Sequence, residues 1–285
     1  MAFASVIHPK EFIIDDNNYG MFARDNLVVD GDPKSRGRIP RDYDKEPFGA
    51  SEFYAPFPDD MVIPEENWKA MAEELERTKS RLSDIVDRAG LICKDQDGLP
   101  YCWCNGATHS FEIARAVMGL PTVLLSSASV GGPVSGWRKV GGWGTAALKQ
   151  IIQVGAAPAS IWGNNDVNPR LYTEENKAVM AKYRCLEWYE LKPRSFAQLV
   201  SCLLQRIPVA IGLNWWSHEV TAYDVVVMAD GSIGVRFRNS WGMGWGDRGY
   251  SILTRAKATP DDAIAPRVAR AFAADGTFSQ FQTAV

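Results

Sequence analysis

The feature that narrows the fold most is a change of period near residue 206. Downstream, IPVAIGL (207–213), EVTAYDVVVM (219–228), IGVRFR (233–238) and RGYSILT (248–254) are short β-branched runs separated by turn formers, the pattern of antiparallel strands. Asp230-Gly231 supplies a hairpin turn between the second and third. Upstream the spacing is helical. Over 64–89, Pro64 suits a first helical position, Trp68, Met71, Leu75, Leu82, Ile85 and Val86 recur at three- and four-residue steps, and Gly90 supplies a stop. A second helix is predicted from Cys102 to about Met118. A third spans 145–154, with Thr145 as N-cap and Gly155 as stop, and a fourth runs from about Ser195 to Gln205. Helices first and antiparallel strands afterwards define an α+β chain in two lobes.

This gives a helical lobe over 91–190, entered through an amphipathic helix over 64–90, and an antiparallel β lobe over 191–255. Residues 256–285 read as a tail with weak helical pattern. Residues 1–63 read as an extended arm: DDNNYG, DGDPKSRGRIPRDYDKEPFG and APFPDD are dense in turn formers. Yet this arm holds nine of the chain's 21 phenylalanines and tyrosines (Phe3, Phe12, Tyr19, Phe22, Tyr43, Phe48, Phe53, Tyr54 and Phe57), whereas disordered segments are aromatic-poor. It is expected to dock, on its own body or on a protein assembly partner.

Composition removes several classes. At 285 residues, 46% hydrophobic and 23% charged, the chain has the make-up of a globular protein with a sizeable core. A net charge of -3 lacks the basic surplus of a nucleic-acid binder. No apolar run is long enough to span a membrane. MAFASVIHPKEF has no secretory n-region and h-region, so the expected location is cytoplasmic or within a virion. Five cysteines is an odd count, which requires at least one free thiol.

Of three histidines, His218 opens a predicted strand, and the Asp230-Gly231 turn brings it near the same end of one hairpin as Asn239. An amide there can fix the tautomer and orientation of an imidazole. Alone, His218 reads first as a satisfied strand-end histidine. Its partner, however, begins the run Asn239-Ser240-Trp241-Gly242-Met243-Gly244-Trp245-Gly246-Asp247-Arg248-Gly249-Tyr250. That run closely resembles the asparagine box of the papain family of cysteine peptidases. A dinucleotide-binding reading of its glycines fails, because a strand and not a helix follows. Upstream, Gln96-Asp97-Gly98-Leu99-Pro100-Tyr101-Cys102-Trp103 places a glutamine six residues before a cysteine followed by tryptophan, as the family does. Gly141-Gly142-Trp143 ahead of a helix is similar to the glycine pair whose backbone holds bound peptide.

The resemblance covers roughly residues 91–255 and implies a papain-like fold and a thiol peptidase that needs no cofactor. Cys102, at a helix N-terminus, would attack as thiolate, favoured by the helix dipole and by His218. His218 would act as acid and base, Asn239 would orient it, and Trp241 would shield that hydrogen bond. The Gln96 side chain and the Cys102 N–H would form the oxyanion hole, and Gly141 and Gly142 would bind substrate.

The chain departs from the family's pattern in several places. Pro100-Tyr101 replaces Gly-Ser, so a tyrosine stands where it could narrow the cleft. Ser217 precedes His218 where Asp or Asn is frequent, and Asn105-Gly106 are poor helix formers in the first turn. The histidine comes early against the family spacing of roughly 130–150 residues, and the usual helical pro-segment motif is missing. Cys93, Cys104, Cys185 and Cys202 do not reproduce the common disulfide positions, and Cys202 falls on an apolar helix face as a buried thiol. A zinc site from Cys93, Cys102, Cys104 and His109 would consume the nucleophile and matches no standard module, so no metal is expected; His109 reads as a buried, hydrogen-bonded histidine. Two rival functions remain: a catalytically silent papain-like assembly component, for example of a virion, and a cell-wall amidase or endopeptidase. The arm also permits a strand-like inhibitory segment laid across the cleft.

Overall fold

The structure, a computed structural model, describes residues 12–24, 28–29 and 32–267; Phe3 and the end of the predicted tail lie outside them. In chain order the elements begin with β1 (Ile13–Ile14), α1 (Tyr19–Phe22), β2 (Val28–Val29), β3 (Asp32–Pro33) and β4 (Tyr54–Pro56). The helices α2 (Glu65–Arg77), α3 (Leu82–Ala89), α4 (Cys102–Val117), α5 (Ser127–Ser135), α6 (Gly144–Gln153) and α7 (Glu174–Met180) follow. The remainder is β5 (Glu187–Leu191), α8 (Phe196–Leu204), β6 (Val209–Leu213), β7 (His218–Val227), β8 (Ile233–Arg238), β9 (Tyr250–Thr254), α9 (Arg255–Ala258) and β10 (Asp262–Arg267).

Eight strands make one sheet in the order β1-β9-β8-β7-β6-β10-β5-β4. The four strands expected from the sequence form its antiparallel centre, with β7 paired to β8 through the Asp230-Gly231 turn and a register shift between Ala222 and Asp224. The arm closes both edges: β1 pairs in parallel with β9, and β4 with β5. Capping exposed edges in this way removes templates for intermolecular pairing. The arm also sends Ile14, Phe22 and Phe57 into the core, so its aromatic content is largely spent on its own body.

Two expectations need correction. The helix expected over 64–90 is two helices, α2 and α3, because Lys79 takes a left-handed conformation (φ 54°) between them. No glycine or proline marks that break; Gly90 ends α3 in the left-handed region as expected (φ 67°). The tail expected from residue 256 instead contributes β10, inserted between β6 and β5. Pro266 argues against a central strand in sequence. Here β6 pairs only with Asp262–Ile264, so at Pro266 the neighbour on that side has already ended and no ladder bond is lost.

Helix α4 is the pivot of the two lobes. Every residue from Cys102 to Ala114 is buried, as befits a helix enclosed on all sides. One apolar cluster lies between the sheet and α2, α3 and α8; a second lies around α4 and α6, built on Trp103, Phe111, Leu148, Ile151 and Trp188. The polar residues α4 carries into this interior are paired. Glu112 is bonded to Lys94 and to His109, each at 2.8 Å, and His109 also meets the Tyr223 hydroxyl. No described helix is long and apolar enough to cross a membrane.

Candidate active site

Three loops and one helix end converge where the lobes meet. Cys102 is the first residue of α4. The backbone N–H groups of Glu219 on β7, of Gly37 on the arm and of Trp103 on its own helix lie near enough to its thiol to favour the thiolate. Because Glu219 follows His218, the sulfur lies against the backbone directly beside the imidazole.

His218 is fully buried, and its Nε2 lies 2.7 Å from Oδ1 of Asn239. That oxygen also accepts the N–H of Ser240 at 2.8 Å, which fixes the orientation of the amide. Nε2 therefore carries the proton and donates, leaving Nδ1 as the basic nitrogen; it has no hydrogen-bond partner among the described residues. Trp241 packs on the ring at 4.8 Å between centroids, and Trp216 does so from another side at 5.0 Å. The indole shield is thus two tryptophans deep.

Gln96 is held from both ends. Its backbone N–H donates to Ser240 at 2.9 Å and its Oε1 accepts from the Ser240 hydroxyl, so the amide hydrogens are directed away. One of their acceptors is the Leu99 carbonyl at 2.7 Å; the other is the Ser35 carbonyl at 2.9 Å, which also receives the Trp241 indole N–H at 3.1 Å.

The arm runs through this cleft. After Ser35 and the Gly37 N–H near sulfur, Gly37 accepts from the N–H of Gly142 at 2.9 Å, Arg38 donates to the Ser217 carbonyl at 3.3 Å, and Ile39 donates to the Gly142 carbonyl at 2.9 Å. Arg38 and Gly142 form a parallel bridge. The fit excludes side chains. A β-carbon at Gly141 would lie 2.4 Å from the Gly37 carbonyl oxygen, and one at Gly142 would meet the Trp103 ring at 2.7 Å.

Burial sets the protonation states. It pushes the Cys102 thiol up to about 12, aided by the nearby Glu219 carboxyl and opposed by the three N–H donors. It pulls His218 down to about 3, the Asn239 bond opposing and the Arg36 charge assisting. The thiolate expected from the helix dipole is therefore not the resting form. Desolvation outweighs the N-terminal field, and with the arm in place the pair is neutral.

Tyr101 also differs from expectation. It is fully buried, its ring packed edge-on against Trp103 and its hydroxyl bonded to Ser135 at 2.9 Å and to the Arg138 carbonyl at 2.8 Å. It anchors α5 to α4 and does not narrow the cleft. Ser217 holds φ 51°, a region that Asn and Asp tolerate more readily. All five cysteines are buried and unpaired, and among the described residues no three His, Cys, Asp or Glu side chains converge as a metal site. Sequence reading missed Trp216, Ser240, Glu219 and Asp262. Glu219 carried a visible signal, an acidic residue inside a strand otherwise suited to burial on both faces.

The fold compares closely with solved papain-like cysteine proteases. Procathepsin L 3 from the larval midgut of Tenebrio molitor is 20% identical, with 62% of this chain and 66% of that chain covered at a TM-score of 0.56. The recombinant stem bromelain precursor is 18% identical over 77% and 76% of the two chains, TM-score 0.57. Xylellain, a cysteine protease of Xylella fastidiosa, is 16% identical over 86% and 100%, TM-score 0.59. At these identities the likeness establishes the two-lobed papain-like fold. No protein-family model and no curated protein sequence matches the chain.

Proposed function

From this papain-like fold, we propose that the chain is a thiol peptidase whose cleft is closed by its own arm. The observation that carries the reading is the way residues 35–39 are held. The arm offers backbone to the sulfur of Cys102, to the Gln96 amide and to Gly142, the groups that a peptide substrate would have to engage.

The chemistry follows from the residues present. With the arm displaced, water enters and the desolvation that keeps thiol and imidazole neutral is relieved. The thiol proton passes to His218, and the sulfur attacks a peptide carbonyl. The Gln96 amide and the Cys102 N–H receive the oxyanion, and the C–N bond breaks as His218 returns its proton to the amine. Water then attacks the thioester, losing a proton to His218, and the acid product leaves as the thiol re-forms. Asn239 holds the imidazole throughout, sheltered by Trp241 and Trp216.

A solved bromelain relative was captured with the E64 inhibitor, which makes such an epoxide a suitable probe. It should label Cys102 once the arm is loosened and leave Cys102→Ala unlabelled. Absence of labelling and of peptide turnover in a folded, reduced sample with a loosened arm would favour a silent papain-like component.

A further inference from the structure

We infer that the cleft contains an acidic pocket that selects a basic side chain, arginine or lysine, in the substrate, and that Arg38 of the arm occupies it in cis. This inference rests on the peptidase reading above and names its substrate class.

The pocket is built, and its walls are spacious only because they are glycine. The Arg38 side chain is 1% exposed. Its Nη2 and Nε lie 2.6 and 3.2 Å from Oδ1 of Asp262, and its Nη1 donates to Oδ1 of Asn214. A β-carbon at Gly212 would stand 1.9 Å from that Asp262 oxygen and 2.1 Å from the Arg38 Nε. The second acid is Glu219. A β-carbon at Gly144 would fall 2.6 Å from its Oε1, and one at Gly106 would fall 2.9 Å from it. Glu219 lies close enough to Arg38 and Asp262 for their charges to act on its carboxyl.

A fastening for the arm would need one carboxylate. Glu219 is 2% exposed, and its Oε1 has no hydrogen-bond partner among the described residues. A buried acid with an oxygen unsatisfied costs stability, which a purely structural ion pair gives no reason to keep. Removing Arg38 with the arm would leave the Asp262 carboxylate and the Asn214 amide oxygen without their cation, beside a Glu219 carboxyl that burial holds well above the usual carboxylate range. A cationic side chain entering beside Gly142, one residue from the contact with the Cys102 sulfur, restores the charge balance. A neutral side chain leaves the Asp262 carboxylate unpaired. A planar guanidinium also matches the Asp262 carboxylate and the Asn214 amide oxygen better than a point charge does.

The test uses full-length Arg38→Ala, with Arg38→Ser alongside in case the apolar replacement disturbs folding, since both empty the guanidinium site. N-propylguanidinium should bind either variant and raise its melting temperature, N-propylurea should not, and adding Asp262→Asn should abolish the response. With Gly37→Ala added to release the arm, a panel of quenched peptides varied at each position should then be cleaved at least tenfold faster with Arg or Lys at one position, a preference lost with Asp262→Asn. Failure of propylguanidinium to bind, or turnover without basic preference, overturns the pocket. Propylguanidinium binding without turnover of any peptide upholds the pocket and overturns the peptidase reading instead.

Discussion

A β-carbon on Gly37 would stand 1.9 Å from the carbonyl oxygen of Pro100, two residues before the nucleophile. That oxygen is backbone and also accepts the Trp103 indole N–H at 3.1 Å, so it cannot yield. The arm can lie in the cleft only because residue 37 has no side chain.

Gly37→Ala should therefore expel residues 35–39 while β1 and β4 keep the rest of the arm attached. Cys102 alkylation by iodoacetamide at pH 8, followed by mass spectrometry, should accelerate at least tenfold relative to the parent chain. Unchanged labelling with intact folding would show that the arm does not guard the thiol.

In that opened background, His218→Ala should lower peptide turnover by roughly 10²–10⁴, the usual contribution of a positioned acid-base group. Gln96→Ala should lower kcat by roughly 10²–10³ with KM little changed, as expected of a donor used in the transition state. Equal loss in kcat and rise in KM for Gln96→Ala would assign it to substrate binding.

The pH profile of stability should slope at both ends. Burial holds His218 near 3 and His109 near 4, against 6.5 in the unfolded chain. At these two sites the unfolded state binds more protons below pH 6.5, and each lowers stability on acidification by up to roughly 1.4 kcal/mol per pH unit until its value is reached, against the opposite pull of the raised Glu190, Glu219 and Asp224 carboxyls. At the alkaline end, Cys93 and Cys102 are raised to about 11 and about 12 from 9.0. Stability present below pH 9 should decline above it as thiols ionise in the unfolded chain first. Urea denaturation of the parent chain and of His218→Ala from pH 4 to 10 measures both contributions; identical slopes in the two chains from 6.5 to 4 would contradict a buried neutral His218.

Lys94→Met should cost about 3–5 kcal/mol, because it strands the Glu112 charge in the interior. Lys94→Met combined with Glu112→Gln should recover much of the loss. Chemical denaturation of both variants decides this, and additive losses would mean that the two residues are not coupled.

The sequence disclosed the parts of this molecule that rest on local pattern. The alternation in β6 to β9, the Asp230-Gly231 turn and the opening of α4 at Cys102 were readable because period and punctuation agree there. The glutamine, cysteine and asparagine boxes marked the residues that the fold assembles around α4. Other features depend on long-range partners. β10 looks like a turn-rich tail until β5 and β6 flank it, and the α2–α3 break has no breaker residue. The depressed imidazole and raised thiol depend on a lid of backbone from the arm, which the helix dipole alone does not anticipate. Asp262 and Arg38 say nothing about each other in sequence.

Those last two residues are 224 positions apart, and the strand bearing Asp262 must slide between β5 and β6 before the sheet is continuous. Contacts of such separation close late, since loop-closure entropy has to be overcome before they return any stability. The cleft therefore matures only after nearly all of the described chain has emerged and collapsed. The segment that fills it precedes both α4 and β10 in the chain, so the guard is synthesised ahead of what it guards.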